Sequence, residues 1–333
     1  MACGLKNLSV VIDPLNESNT FTTGDLISRR VILQLKKETG IESLFVKAKG
    51  KAKASSFFYQ DKETCFKSIQ YFIQEQKTKG QDGYSLLTNE CEQGYSRTVG
   101  PGIHIYPFTI QIPHQDMPAS FKGYHGKVVY FLEAKLCRSM PVPKKAKVFF
   151  NYVPKEDMST PDLMISQHVH KEQKIKFLSS GSVAMDVHTE KMGFHLGEQI
   201  MVTIDIENNS TRTVKPKFSL YQKQSFFASK KRKVKTKELI KRKGDPIEPL
   251  TKQSLTEVLN IPTDTSISIL NCRILKVEYR LKVHLDIKFA HDLEIKLPVV
   301  ILPDCVTQNE KDVANTDLGT GIELTSKKED SSN

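Results

Sequence analysis

The chain has no tryptophan, no Cys-x-x-Cys spacing and no apolar run of about 18 residues, so a redox dithiol, a zinc knuckle and a membrane-spanning helix are all excluded as readings of it. It also lacks any sustained 3.6-residue apolar period, which removes the helical-bundle classes. The first twenty residues contain Asp13 and Glu17 and no apolar segment with basic flanks, so no secretory leader is expected. The six cysteines, Cys3, Cys65, Cys91, Cys137, Cys272 and Cys305, are scattered. They read as reduced thiols, which points to the cytosol and makes the Asn-x-Ser sequons at Asn7, Asn16 and Asn208 incidental. There is no Gly-x-Ser-x-Gly, no Walker loop, no His-Glu-x-x-His and no Gly-x-Gly-x-x-Gly after a strand. No catalytic residue, cofactor site or metal site is therefore assigned, and the chain is not expected to be an enzyme.

What is present is strand periodicity. From Ser266 to Pro303, Ile274, Val277, Tyr279, Leu281, Val283, Leu285 and Ile287 fall largely at alternate positions, against Lys276, Glu278, Arg280 and Lys282. One face is apolar and the other charged, the signature of a half-buried antiparallel strand. Leu293, Ile295 and Leu297 follow across a turn at His291 and Asp292. Two such strands cannot stand alone in water, so a second sheet must cover them.

The same pattern occurs earlier. Val128 to Leu136 matches Leu275 to Val283, with Tyr130 and Tyr279 as common landmarks 149 positions apart. Phe108 to Pro113 answers the stretch ending at Pro262, again 149 apart, and Gly24-Asp25 answers Gly197-Glu198. An ordered series of matches argues for two copies of one β-rich domain, for which 333 residues are sufficient. The expected division is 1–153 for the first sandwich, 154–167 for a linker, 168–303 for the second sandwich and 304–333 for a disordered acidic tail.

Along the chain, strands are expected over Leu5–Asp13, Leu26–Leu35 and Ile41–Ala54, the last broken near Gly50. Thr64–Gln76 fits either period and is assigned to strand, and Lys79–Gly94 reads as loop. Pro107 marks a bulge or an edge in the long strand after Gly102. In the second half, strands are expected over Ile175–Val187, Phe194–Glu207, Val214–Lys223 and Val234–Ile240, with Asn208-Asn209-Ser210 as a turn. His168 and His170 could share one strand face, but no third ligand sits at useful spacing, and a surface pair is favoured over a metal site.

The charge is uneven. Lys230, Lys231, Arg232, Lys233, Lys235, Lys237, Lys241, Arg242 and Lys243 supply nine positive charges against Glu238, a net +8 of the whole-chain +11. This run is placed at a hairpin between two strands. It reads as a solvated surface, an anionic-membrane contact or a nucleic-acid contact; the absence of interleaved aromatics disfavours single-stranded nucleic acid. Asp304 to Asn333 carries seven acidic and three basic residues and no proline.

The segments Gly100–Leu136, Ser179–Gln224, Ser254–Ile287 and Leu297–Pro303 together resemble the arrestin-domain-containing proteins, the α-arrestins, over roughly Leu5 to Leu302. The resemblance implies an all-β fold of two tandem immunoglobulin-like, arrestin-type β-sandwiches. It also implies a cytosolic adaptor that binds cytosolic segments of membrane-protein cargo and moves between plasma membrane and endosomes. A retromer-type cargo scaffold is the alternative on the same fold, and a nucleic-acid module using residues 230–243 is the other. Family members recruit HECT-type ubiquitin ligases through Pro-Pro-x-Tyr. This sequence has no such motif after Pro303, so any ligase link is expected to be indirect.

Overall fold

The computed structural model describes residues 4–12, 19–56, 59–74, 98–138, 142–155, 161–175, 181–288 and 290–303. The tail 304–333, the stretch Lys79–Gly94, residues 156–160 of the linker, and Cys3, Cys91 and Cys305 lie outside them. Among the described residues the elements are strands and one 3-10 turn, Pro161–Met164.

The first half makes two main sheets, with a two-stranded ribbon of Thr39–Gly40 and Thr98–Val99 and a short strand, Phe121–Lys122, paired to Gly126–Cys137. One runs Leu5–Ile12, Leu26–Leu35, Gly102–Gln111. The other runs Thr20–Phe21, Lys144–Tyr152, Gly126–Cys137, Ser43–Ser56, Tyr59–Gln74. In the second half the smaller sheet runs Gln167–Lys174, Gly181–Thr189, Gln199–Ser210, Thr251–Asn260. Its larger sheet runs Gly193–His195, Leu293–Leu302, Leu275–Ile287, Val214–Ala228, Lys231–Lys243. The two larger sheets share one strand order, and in each the first pair is parallel and the rest antiparallel. The repeat inferred from the sequence is thus a repeat of topology, and the fold is two β-sandwiches in tandem.

Period-2 patterning explains the cores. Val128, Tyr130, Leu132, Ala134 and Leu136 turn inward from one central strand, and Leu275, Val277, Tyr279, Leu281, Val283 and Leu285 from its counterpart; all are buried. Full burial of a Leu or Val side chain contributes about 1.5–3 kcal/mol, enough to fix which face is inside. Phe108 is buried as well, and so is Leu259 in the matching stretch that ends at Pro262.

Several expected boundaries move. Ser43–Ser56 is unbroken at Gly50; the irregularity belongs to its partner, where Cys65 is an extra residue between Phe66, opposite Gly50, and Thr64, opposite Lys51. Gly50 is glycine because the Tyr130 ring lies over it, and a Cβ there would sit 2.3 Å from that ring. Pro107 occupies an edge strand in regular register opposite Arg30, so no bulge is needed. His168 and His170 lie within a strand rather than before one, because Gln167–Lys174 pairs fully with Gly181–Thr189. Asn208-Asn209-Ser210 continues its strand instead of turning. The Asn208 amide is fully buried and donates to the Arg212 and Glu248 carbonyls, which satisfies a polar group that would otherwise be costly there.

Candidate interaction surfaces

The basic run is not at a hairpin tip. Ser229 and Lys230, with φ of 48° and 62°, form a two-residue turn between Val214–Ala228 and Lys231–Lys243. Such turns match the twist of the flanking strands. Eight of the nine expected basic residues therefore lie along a 13-residue strand that closes one edge of its sheet, and only Lys230 is in the turn. The run extends the hairpin because Lys has a long aliphatic stem that tolerates an edge strand while its ammonium stays in water.

The turn end of this strand packs on the first half of the chain. The Ser229 amide donates to Asp61 at 3.0 Å, and Lys231 lies over the Tyr59 ring at 5.1 Å. Lys235 lies over Tyr124 at 5.3 Å, and the Tyr124 amide donates to the Gln224 side chain at 3.3 Å. Beneath them Phe226 is fully buried and meets His125 edge-on at 5.6 Å. Burial, then the fields of Lys233 and Lys235, pushes the His125 imidazole down from its usual value. The far end, with Lys237, Lys241, Arg242 and Lys243, is exposed. Glu238 pairs with Lys241 at 3.4 Å, an exposed pair that does little to neutralise the strand.

A second set of contacts joins the halves. Arg273 meets Glu63 at 3.2 Å and Asn271 donates to Asp116 at 2.5 Å. The Cys272 thiol donates to Glu63 at 3.9 Å. Burial raises the Cys65 thiol to about 11, with the nearby Cys272 adding to it, and burial likewise raises Cys272. Cys65, Cys137 and Cys272 are free thiols.

His168 and His170 gain the acidic neighbour that linear spacing did not reveal. Asp186, on the adjacent strand, lies 3.2 Å from His168 and 3.0 Å from His170. Among the described residues no group of three or more such side chains is arranged to hold a metal ion. Two open hollows, one lined by Ser28, Arg29, Arg30, Pro107 and Thr109 and one by Cys65, Lys67, Pro113 and Gln115, do not coincide with the basic strand.

Sequence reasoning missed a second concentration of cations, on the outer face of the larger N-terminal sheet. Its signal was Lys47-x-Lys49-x-Lys51-x-Lys53, four lysines at strand period. Taken singly it is an ordinary polar strand face; only pairing with the neighbouring strands assembles the rest.

Comparison with known proteins decides the family. Residues 8–159 match the N-terminal domain of arrestin (or S-antigen), and residues 179–303 match its C-terminal domain. The chain belongs to the arrestin-domain-containing, α-arrestin family. As such it is an arrestin-like adaptor in general terms, built on domains that serve as scaffolds rather than catalysts. Similar proteins include the thioredoxin-interacting protein of Homo sapiens, 28% identical over 302 residues, covering 89% of this chain and 74% of the relative. That of Mus musculus is 27% identical over 308 residues, with 89% and 73% covered, and that of Pongo abelii 29% identical over 302, with 89% and 74% covered. No helix among the described residues of this arrestin-domain protein is long and apolar enough to cross a membrane.

Proposed function

We propose that this arrestin-domain protein is a cytosolic adaptor in membrane-protein trafficking, which binds cytosolic segments of cargo and works at the plasma membrane and endosomes. The observation that carries the reading is the match of both domains, in order, to the arrestin pair. In this reading the edge strand Lys231–Lys243 contacts the anionic cytosolic leaflet, where each basic residue near the bilayer contributes about 1 kcal/mol. The far end of the strand is the contacting part, since Lys231 and Lys235 are engaged with Tyr59 and Tyr124. Residues 304–333 contain no proline to fill a WW groove, so in this reading a HECT-type ubiquitin ligase is reached through a partner.

The relatives named for interacting with thioredoxin raise a second question, whether this chain exchanges thiols. Cys65 and Cys272 are poorly suited to it, since buried thiols held above their ordinary range carry little thiolate.

Affinity capture of the full chain from cells, read by mass spectrometry, tests the adaptor reading. Recovery of membrane cargo with endosomal proteins supports it, and recovery dominated by polymerases or ribosomal proteins overturns it. For the strand, replacing Lys237, Lys241, Arg242 and Lys243 with Gln should weaken binding to phosphoinositide-containing vesicles. Unchanged binding leaves the strand as a solvated edge.

A further inference from the structure

The outer face of the larger N-terminal sheet is a lattice of lysines read directly from strand pairing. Lys145, Lys135 and Phe45 lie side by side in one cross-strand row, with Tyr71 beyond. The next row holds Lys147, Glu133, Lys47 and Ile69; the next Phe149, Phe131, Lys49 and Lys67. Lys51 sits between Val129 and Thr64, and the last row sets Lys127, Lys53 and Lys62 directly opposite one another. With Lys122 opposite Lys127, eleven lysines among the described residues share the face with one carboxylate, Glu133.

This arrangement works against the fold. Like charges directly opposite on neighbouring strands are destabilising, and here they recur in the first, third and last rows. Burial, and after it the neighbouring lysines, lowers the affinity of the Lys47 and Lys49 amines for protons, the mark of crowded cations. For Glu133, burial alone would raise the carboxyl, but the 3.0 Å bond from Lys147 and the fields of Lys147, Lys145 and Lys49 more than reverse it.

The second domain supplies a control inside the same molecule. The corresponding face of its larger sheet intersperses acids that are bridged: Lys217 to Asp286 at 2.6 Å, Lys223 to Glu278 at 3.3 Å, Lys282 to Glu294 at 2.9 Å, and Lys296 to Glu294. One strand order carries both faces, so topology does not require the lysines of the first.

The lysines are also held up from the sheet. Phe45 and Phe131 are buried, yet on the face away from the core, covered instead by cations. Lys47 stands over the Phe45 ring at 4.5 Å, Lys135 over the same ring at 5.6 Å, and Lys147 over Phe131 at 5.0 Å. Ammonium groups seated on rings are partly positioned before any ligand arrives. Phe149 and Tyr71, 59% and 48% exposed, stand on the two flanking strands.

From this geometry we propose that the lysine face of the N-terminal sandwich docks on an anionic lipid bilayer. The charge spreads in two dimensions, about 5 Å between strands and about 20 Å along the Lys47–Lys53 column. An extended acidic peptide would cover one such column and leave the others unmatched, whereas a layer of anionic headgroups meets them all. Of the lysines in these rows only Lys67, on the outermost strand, lines either of the two hollows described above. Exposed aromatics flanking a cationic field are the residue types that settle at a headgroup boundary. The proposal does not rest on the reading of the Lys231–Lys243 strand.

The test uses the full chain with Lys47→Gln, Lys49→Gln, Lys51→Gln and Lys53→Gln, and sedimentation with vesicles of phosphatidylcholine alone or with phosphatidylserine. The parent should bind only the phosphatidylserine vesicles, and the variant about tenfold or more weakly. Its melting temperature should be equal or higher, since repulsion is relieved. Should that variant misfold, Lys67→Gln with Lys135→Gln and Lys145→Gln probes the same face from other strands. Equal vesicle binding by parent and variant overturns the proposal. So does loss of poly-glutamate binding in the variant with vesicle binding intact, which would make the face a site for acidic protein. Running the Lys237, Lys241, Arg242 and Lys243 variant alongside separates the two surfaces. Loss there alone overturns this proposal and leaves the strand reading standing, and loss in the lysine-face variant alone does the reverse.

Discussion

Tyr130 and Tyr279, 149 positions apart, do the same thing in the two domains: each sends its hydroxyl from the central strand of the larger sheet to a backbone carbonyl just upstream, Pro118 for the one and Ser266 for the other. They differ in what lies opposite. Tyr130 faces Gly50, which leaves room for its ring, while Tyr279 faces Gln222, whose amide donates to the hydroxyl at 2.6 Å. Tyr279 is also within hydrogen-bond distance of Thr265, so it sits in a network and Tyr130 in a single bond.

The two tyrosines should therefore respond unequally to the same change. Tyr130→Phe is expected to lower stability by about 1 kcal/mol, one hydrogen bond, with the Pro118 carbonyl left to find another donor. Tyr279→Phe is expected to cost more, up to about 3 kcal/mol, because the buried Gln222 amide loses one of its two acceptors, keeping the Ser266 hydroxyl at 3.0 Å, and the Thr265 and Ser266 contacts go with it. Denaturant melts of both variants measure this, and an equal or reversed order would count against the network.

Gly50→Ala should destabilise the first domain by about 1–3 kcal/mol, the usual cost of forcing a group into a packed core. The added methyl would meet a ring already hemmed in by Tyr152 at 4.9 Å and Phe150 at 5.9 Å. A melt within error of the parent would show that the ring can move aside.

His284 gives a pH dependence. Burial, then Lys282, holds its imidazole below the usual value, with Asp292 acting the other way. A histidine depressed in the folded state binds protons more readily when unfolded. Its contribution to stability is therefore full above the unfolded value of about 6.5 and is lost as pH falls below it towards the folded value. The drop in melting temperature between neutral and mildly acidic pH should be smaller in His284→Gln. An identical profile would assign the drop to other groups.

Thiol chemistry offers a simple check on the domain junction. With Cys65 raised to about 11 and Cys272 raised by burial, both should resist alkylation in the native protein near neutral pH and react once it is unfolded. Peptide mapping after brief iodoacetamide treatment distinguishes them. Rapid native labelling of either would mean that the Glu63 and Arg273 contact opens.

Much of the fold was legible because alternation and repetition are local signals. Tyr130, Tyr279, Phe108 and Leu259 could be placed in cores from period alone, and the two-sandwich arrangement from the repeated landmarks. Turn chemistry was less legible. Ser229-Lys230 has none of the glycine or asparagine that announces a two-residue turn, so the basic run was set between strands instead of on one. Asn208 reads as a turn former because asparagine's usual role is exposed, whereas here its buried amide bridges the nearby Arg212 carbonyl and the distant Glu248 carbonyl. The lysine face was hidden for a different reason. Lys49 and Lys67, or Lys53 and Lys127, become neighbours only through register, and register between distant strands is not written in either strand alone.

Lys231–Lys243 ends its sheet with a long row of backbone donors and acceptors that no further strand among the described residues covers. Left uncharged, such a border invites a second copy of the chain to add its own strand and start a growing stack. Eight cations along the border make two copies repel before their backbones meet. Neutralising them for a lipid assay therefore also removes the guard against self-association, and the Gln variants should be checked for rising sedimentation coefficient with concentration before any change in vesicle binding is interpreted.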